Sequence, residues 1–388
     1  MEDRTGLLSL PVLLGKTMLM RKVGVVLPGA WRRCGPVIAV FTIIAWLVTA
    51  NQGEAATAYV SVESVGVVAI NLEKMAITRR FALRKSGPRG IGITRDGRYV
   101  VTADKESQDV AVIDRKSGHL VRRIPIGPKP EFLKFSLDGR HFFVAHEPAS
   151  EGPPPKGPQT EAEKKAQKKA QEEAAEKTPA QIVEIDVASW QVVRTFSASL
   201  DTEGIEISAD GKKLLCANES EDSLRVYDLE TGGEVRRVDL RPYGSRPRGV
   251  KRSPDGSEYL VSLESSGNVI VLDKDLNFLA SVPTAAGPYG ISFDPEGKHF
   301  LVAASRAEKL QVFDTRSRKL VKEMKVGKRC WHFTFTPDGE RILAACGRSN
   351  EVLVFDAKSY RLVKVLGGIP LPWGIATYPR AYGSLDFP

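Results

Sequence analysis

One short pattern recurs seven times between residue 59 and the C-terminus, and it restricts the fold more than any other feature. Its clearest copy is Pro88-Arg89-Gly90-Ile91 followed by a tight Asp96-Gly97 turn. It returns as Pro247-Arg248-Gly249-Val250 with Asp255-Gly256, as Pro288-Tyr289-Gly290-Ile291 with Glu296-Gly297, and as Pro372-Trp373-Gly374-Ile375. Weaker copies sit at Glu131-Phe132, Glu203-Gly204 and Trp331-His332. The equivalent positions 90, 132, 204, 249, 290, 332 and 374 are 42, 72, 45, 41, 42 and 42 residues apart. A period of about 40–45 residues with several short strands per unit is that of a β-propeller.

Each unit reads as four strands, A to D. Strand A follows the glycine position and alternates with period 2, as in Gly290-Ile291-Ser292-Phe293. The Asp-Gly pair supplies the positive φ that a tight hairpin needs. Strand B follows, as in Tyr99-Val100-Val101. Strand C ends in Asp114, Asp186, Asp228, Asp273, Asp314 and Asp356, with Asn71 in the first unit. These short acceptors suit the C–D turn, where they can bond nearby backbone N–H groups. Strand D is amphipathic and basic, as an outer edge strand should be to resist edge-to-edge pairing. The first unit lacks an A strand, and the chain ends in a spare one, Gly374 to Tyr378. These readings predict an all-β fold: a seven-bladed propeller of four-stranded blades, in which the C-terminal strand closes the first blade.

Residues 1–58 stand outside the repeat. Arg21-Lys22 and Arg32-Arg33 precede an apolar run, Val37 to Val48, and then Ala56-Thr57-Ala58. Basic, then apolar, then Ala-x-Ala is an export pattern. The expected products are a mature chain starting at Tyr59 and a periplasmic or extracellular location. The alternative is an inner-membrane anchor through residues 37–48, although a spanning helix needs about 20 apolar residues. The expectation is that the mature form has no membrane span. Residues 59–388 carry a net charge of +6, spread largely over D strands. No basic stripe interleaved with aromatics occurs, so nucleic acid is not an expected partner.

Cysteines 216, 330 and 346 fall in the repeat region. No C-x-x-C occurs, which argues against a zinc ribbon or covalent haem. Cys216 and Cys346 read as small buried residues of B strands. Cys330 reads as a loop residue beside Trp331 and as the thiol to watch. The 72-residue step holds a Pro-rich and then Ala/Glu/Lys-rich insert over 147–180, in the third blade. It has helical composition but no apolar stripe, so a solvated excursion is expected. Strand order places it on the same face as the Pro-x-Gly segments.

The residues before the seven glycine positions are Arg89, Glu131, Glu203, Arg248, Tyr289, Trp331 and Trp373. All are charged or aromatic, at positions read as channel-mouth loops that need no large side chain for packing. With His332 they form the predicted ligand- or partner-binding ring. The competing reading is that Arg and Glu pair with each other while the aromatics cap blade interfaces. No catalytic residue, metal ligand set or cofactor is assigned. The five histidines are scattered, His146-Glu147 is a poor metal motif, and no nucleophile elbow, phosphate loop or calcium loop occurs.

The segment from Val110-Ala111-Val112-Ile113-Asp114 to Ile124-Pro125-Ile126-Gly127 closely resembles the YVTN family of β-propeller repeats. Arg246-Pro247-Arg248-Gly249, Cys330-Trp331-His332-Phe333-Thr334-Phe335, Ser349-Asn350-Glu351-Val352 and Pro372-Trp373-Gly374 look most like the propellers associated with PQQ-dependent catabolism. That resemblance implies an exported, non-catalytic, monomeric scaffold. Its partner would be an envelope protein, in a quinone-dependent oxidation system. The Gly-Lys-x-x-Trp docking repeats of quinone enzymes are absent, so the chain is not expected to hold the quinone. The alternatives are a lactonase-like propeller hydrolase with a divalent metal, and an envelope structural protein.

Overall fold

The computed structural model describes residues 55–147, 180–198 and 201–386, with positions 160, 162, 163, 166 and 169 between them. Among the described residues twenty-eight strands form seven four-stranded antiparallel sheets, each ordered A-B-C-D from the inside outward. The inner strands are Pro372–Tyr378 in blade 1, Pro88–Ile93 in blade 2, Pro130–Phe135 in blade 3 and Thr202–Ile207 in blade 4. Pro247–Arg252, Pro288–Phe293 and Cys330–Phe335 serve blades 5, 6 and 7. Blade 1 is closed as expected. The C-terminal strand pairs antiparallel with Thr57–Val62, matching Tyr59 to Ala376 and Val60 to Ile375. The fold is a seven-bladed β-propeller.

The local chemistry repeats with the blades. In the A–B turn a Ser or Thr hydroxyl donates to the Asp two residues on, as in Ser136–Asp138 (2.7 Å) and Ser253–Asp255 (2.6 Å). The following glycine sits at positive φ, 68° at Gly97 and 73° at Gly256. In the C–D turn the terminal Asp or Asn accepts a backbone N–H, as Asp114 does from Ser117 (2.8 Å) and Asn71 from Lys74 (2.7 Å). Apolar residues of strands A to C pack between neighbouring sheets. Strand D exposes its first residues, such as Leu120-Val121 and Leu320-Val321.

Close approach of neighbouring inner strands explains the glycine at the third inner-strand position of five blades. A Cβ at Gly90, Gly204, Gly249, Gly290 or Gly374 would lie 2.8 Å or less from a backbone carbonyl of the next inner strand. Neighbouring inner strands therefore approach too closely there for any side chain directed that way. Phe132 and His332 replace glycine in blades 3 and 7.

Several details differ from the sequence reading. Strand A begins two residues before the glycine position, at a proline in five blades and at Thr202 and Cys330 in the others, so Arg89, Glu131, Glu203, Arg248, Tyr289, Trp331 and Trp373 lie inside strands and not in loops. The D–A turn ends one residue before strand A, in left-handed backbone at Gly87, Lys129, Arg246, Gly287, Arg329 and Leu371. Cys330 is not a loop thiol. It opens the inner strand of blade 7 directly opposite Cys346, and the two form a disulfide. Among the described residues Cys216, which is buried, is the free cysteine. The first strand starts at Thr57, and Ala58 is buried in it. The basic and apolar parts of the predicted export segment lie outside the described residues.

Between His146 and Gln181 the insert replaces a B–C connection that is four residues long in blades 2, 4, 5, 6 and 7. At its ends Glu147 is partly buried and Ala180 buried; between them the described positions 160, 162, 163, 166 and 169 are exposed, and the last four are helical. Thr160 begins this helical stretch as a reciprocal cap: its N–H donates to Glu163 (2.7 Å) while its hydroxyl oxygen accepts the Glu163 N–H (3.3 Å). Among the described residues no helix is long and apolar enough to cross a membrane.

Candidate functional site

At the upper end of the channel the second residues of four successive inner strands, Arg89, Glu131, Glu203 and Arg248, meet the residues that follow the B strands of blades 1, 2, 4 and 5, Glu63, Lys105, Glu219 and Glu264. The two sets form a charged network. Arg89 donates to Glu63 (2.9 Å) and pairs with Glu131, which also meets Lys105 at 3.4 Å. Arg248 pairs with Glu203, with Glu219 (2.5 Å) and with Glu264 (2.8 Å). Arg246 pairs with Glu219, and Arg306 with Glu264 at 2.9 Å. The Tyr289 hydroxyl donates to Glu203 (3.3 Å). The sequence reading missed Glu63, Lys105, Glu219 and Glu264, and it weighed Glu147 only as a poor metal motif with His146. The same period would have found them, because each follows the last residue of a B strand.

Two aromatic layers lie against this network. Phe132 of blade 3 meets His332 of blade 7 with ring centroids 5.5 Å apart, so the two side chains meet across the channel. Trp373 lies 4.3 Å from the His332 ring and 5.6 Å from Phe132, and Tyr289 lies 5.5 Å from His332. The Arg89 and Arg248 guanidiniums stand over Trp373 (6.0 Å) and Tyr289 (5.3 Å). Trp331 is set apart. It is partly exposed and lies over Gly347, where a Cβ would overlap its ring. Of the predicted ring, Glu131, Glu203, Arg248, Tyr289, His332 and Trp373 are buried, while Arg89 and Trp331 are partly exposed.

The carboxylates of Glu131, Glu147 and Glu203 converge, with one oxygen of each within 4.8 Å of the others. Burial raises all three proton affinities, and nearby charges then separate them. Arg89 and Lys105 hold Glu131 below the usual carboxylate range. Burial keeps Glu203 well above it despite Arg248, with Glu131 adding to the rise. Glu147 is pushed up to about 7, by burial and then by Glu131 and Asp201. His332 is driven the other way, to about 3, by burial and by Lys251, so its ring is neutral.

The lower end of the channel is closed by a segment the sequence reading did not single out. After Tyr378 the chain turns inward. Tyr382 and Ser384 form backbone hydrogen bonds with Phe335 and Phe333. Beside them Lys134 and Lys251 converge on Glu206, at 3.1 and 4.0 Å.

With this geometry in place the relatives fall into line. Residues 174–340 match the model of the YNCE-like beta-propeller family. The chain is a β-propeller protein. Similar solved structures include the periplasmic gluconolactonase of Pseudomonas aeruginosa (19% identity, TM-score 0.64, covering 83% of this chain and 98% of that one). A functionally unknown protein of Desulfotomaculum acetoxidans aligns at 17% identity and TM-score 0.65, with the same 83% and 98% coverage. Hydrazine synthase of Kuenenia stuttgartiensis aligns at 20% identity and TM-score 0.61, over 75% and 89% of the two chains. An uncharacterized protein of Staphylococcus epidermidis is 23% identical over 190 residues, 47% of this chain and 49% of its own. The propeller thus spans about half the length of the curated relatives it matches. At such identities the likeness is one of fold, shared by lactonases and other propellers.

Proposed function

We propose that this protein is an exported, non-catalytic propeller that docks an envelope protein through the upper end of its channel, as an accessory of a quinone-dependent oxidation system. The observation that carries the reading is the contrast between the channel's ends: one is filled by the chain's own tail, while the other presents a ring of paired charges. Glu147, Lys105, Lys129, Glu219, Arg306 and Arg329 form its partly exposed outer layer. Charge pairs already held in place by a rigid inner layer favour orientation and on-rate over raw affinity, which suits a docking surface. The Cys330–Cys346 disulfide supports an oxidising compartment. The resemblance of the repeat units supports the quinone-linked setting.

The test is a titration against envelope proteins that copurify with the chain. Arg306→Glu and Arg329→Glu should weaken binding about tenfold or more and make it less salt-dependent, in chains that still melt cooperatively at a somewhat lower temperature, because the new carboxylate faces buried Glu264. Binding that survives both reversals removes the upper end as the docking face. For the compartment, N-terminal sequencing of mature protein should find a start near the first strand. An intact N-terminus in the membrane fraction would support an anchor.

A second reading, a lactonase-like hydrolase, is favoured by one observation, the Glu131–Glu147–Glu203 convergence. Three carboxylates suit a hard divalent cation. A cation there would take oxygens that now accept from Arg89, Arg248 and Tyr289. Calorimetry with Ca²⁺ or Mn²⁺ on parent and Glu147→Gln decides this reading, because a heat of binding lost in the variant would support it.

A further inference from the structure

Every inner strand turns one unpaired edge toward the channel. In blade 7 that edge is occupied. The Phe335 N–H donates to the Tyr382 carbonyl (2.7 Å), and the Ser384 N–H donates to the Phe333 carbonyl (2.9 Å). These bonds frame an antiparallel bridge between Thr334 and Gly383. This is strand addition, with the C-terminal segment as the added peptide.

Three side-chain features make the addition specific. The Ser384 hydroxyl oxygen accepts the Phe333 N–H (3.1 Å) and lies 3.0 Å from His332 Nδ1. Leu385 is buried against Gly374, whose missing Cβ leaves room for the leucine methyl. The Asp386 carbonyl accepts from the Lys251 ammonium (2.7 Å). Lys251 and Lys134 have side chains only 1% and 8% exposed, and they share Glu206. Two buried ammonium groups around one carboxylate make this end of the channel a place for acceptors and negative charge. The tail meets that demand with the Asp386 main-chain carbonyl, and the Asp386 carboxylate adds a favourable charge to Lys251.

We propose that the lower end of the channel is a peptide-binding site for an extended Ser-Leu-Asp segment, occupied in cis by the chain's own C-terminal tail. Main-chain pairing to Phe333–Phe335 supplies affinity. The Ser384 contact, the Leu385 seat and the lysine pair supply selectivity. The site adjoins the upper end at His332, but its main-chain pairing to Phe333–Phe335 stands whether or not that end docks a partner.

The probe is a labelled peptide with the sequence of residues 380–388, Arg-Ala-Tyr-Gly-Ser-Leu-Asp-Phe-Pro. It is titrated into the full chain and into Ser384→Pro, which loses both the N–H and the hydroxyl of the cis occupant. The expected result is no saturable binding to the parent and saturable binding to the variant. A control peptide with Gly in place of Ser384 and Leu385 should bind at least tenfold more weakly. A folded Ser384→Pro chain that ignores the peptide, or a parent that binds it equally well, overturns the proposal. If Ser384→Pro does not fold, hydrogen exchange in Leu385→Ala replaces it. The Phe335 and Ser384 amides should exchange at least tenfold faster than in the parent, and excess peptide should restore Phe335 protection. Unchanged exchange, or exchange that peptide does not slow, counts against the site.

Discussion

At the upper end of the channel the charged groups come from repeat positions, whereas at the lower end a segment outside the repeat completes the closure. Arg89, Glu131, Glu203 and Arg248 share one register in four successive blades, and their partners Glu63, Glu219 and Glu264 share another. Below, Lys134, Glu206 and Lys251 also share a register, but the chemistry is completed by Ser384, Leu385 and Asp386. A repeat fixes where side chains point and leaves their identity open. That freedom lets one end become a self-paired charged ring and the other a seat for a peptide.

The largest expected effect comes from removing the element that serves both ends. Deleting residues 372–388 takes away the inner strand of blade 1, including buried Trp373, Ile375 and Ala376, together with the tail. The remaining three strands of that blade would present an unpaired edge to the channel. The expected outcome is loss of a cooperative melt. A truncated chain that melts like the parent would break the closed-ring account.

Next is a direct contrast of the two ends. Arg248→Ala leaves buried Glu203 without its cation, while Glu219 keeps Arg246 and Glu264 keeps Arg306, and breaking a buried pair in this way costs about 3–5 kcal/mol. Lys251→Met at the lower end leaves Glu206 paired to Lys134 and substitutes an apolar chain of similar length. Its expected cost is smaller, about 1 kcal/mol, because burial already pushes the Lys251 proton affinity well down. Equal losses in urea denaturation would show that the two ends do not differ in how their charge is held.

These residues also mark what the sequence shows and what it hides. The seven blades, the closure of the first and the C–D turn acceptors were all legible, because period-2 strands and a fixed repeat translate directly into register; the second positions were legible as one register, but they lie in strands instead of loops, and Trp331 is set apart. The Phe132–His332 contact was hidden, since it joins blades on opposite sides of the ring and no local pattern links them. Cys330–Cys346 was hidden by the placement of Cys330 in a loop, an error of two residues at the start of strand A. The tail was hidden because a short segment after the last repeat carries no period. The partners Glu147, Glu219 and Glu264 were legible in principle, one residue past each B strand.

A pH series sharpens the upper end alone. The folded proton affinity of Glu147, about 7, lies above its ordinary value of 4.5. The native state therefore holds more protons than the unfolded chain between these values. This contribution is fully present below pH about 4.5 and fades as pH rises through about 7. Its size is about 3–4 kcal/mol before solvent screening, and less after it, since the side chain is 19% exposed. Glu147→Gln should flatten that part of the profile. Asp104, which burial pushes up to about 7, should leave a residual slope of the same sign. A slope unchanged in Glu147→Gln would assign the whole effect to Asp104 and Glu203.

The smallest effect is expected where the upper end carries its one irregular connection. Replacing residues 148–179 by Asn-Gly leaves a four-residue link from His146 to Gln181, as in blades 2, 4, 5, 6 and 7. Those two residues already face each other in the ladder, so the shorter link spans no new distance. The described positions within 148–179 are exposed, so no apolar burial is lost there. Loop closure becomes less costly by roughly 0.6 kcal/mol for each halving of length, or about 2 kcal/mol from 34 residues to four. Helix within the insert reduces that gain, because a stiffened loop has less entropy to lose. The expected outcome is a melting temperature unchanged or slightly raised. A marked fall would mean that the insert packs on the upper face. An unchanged melt with weaker partner binding would instead make the insert part of the docking surface, next to Glu147.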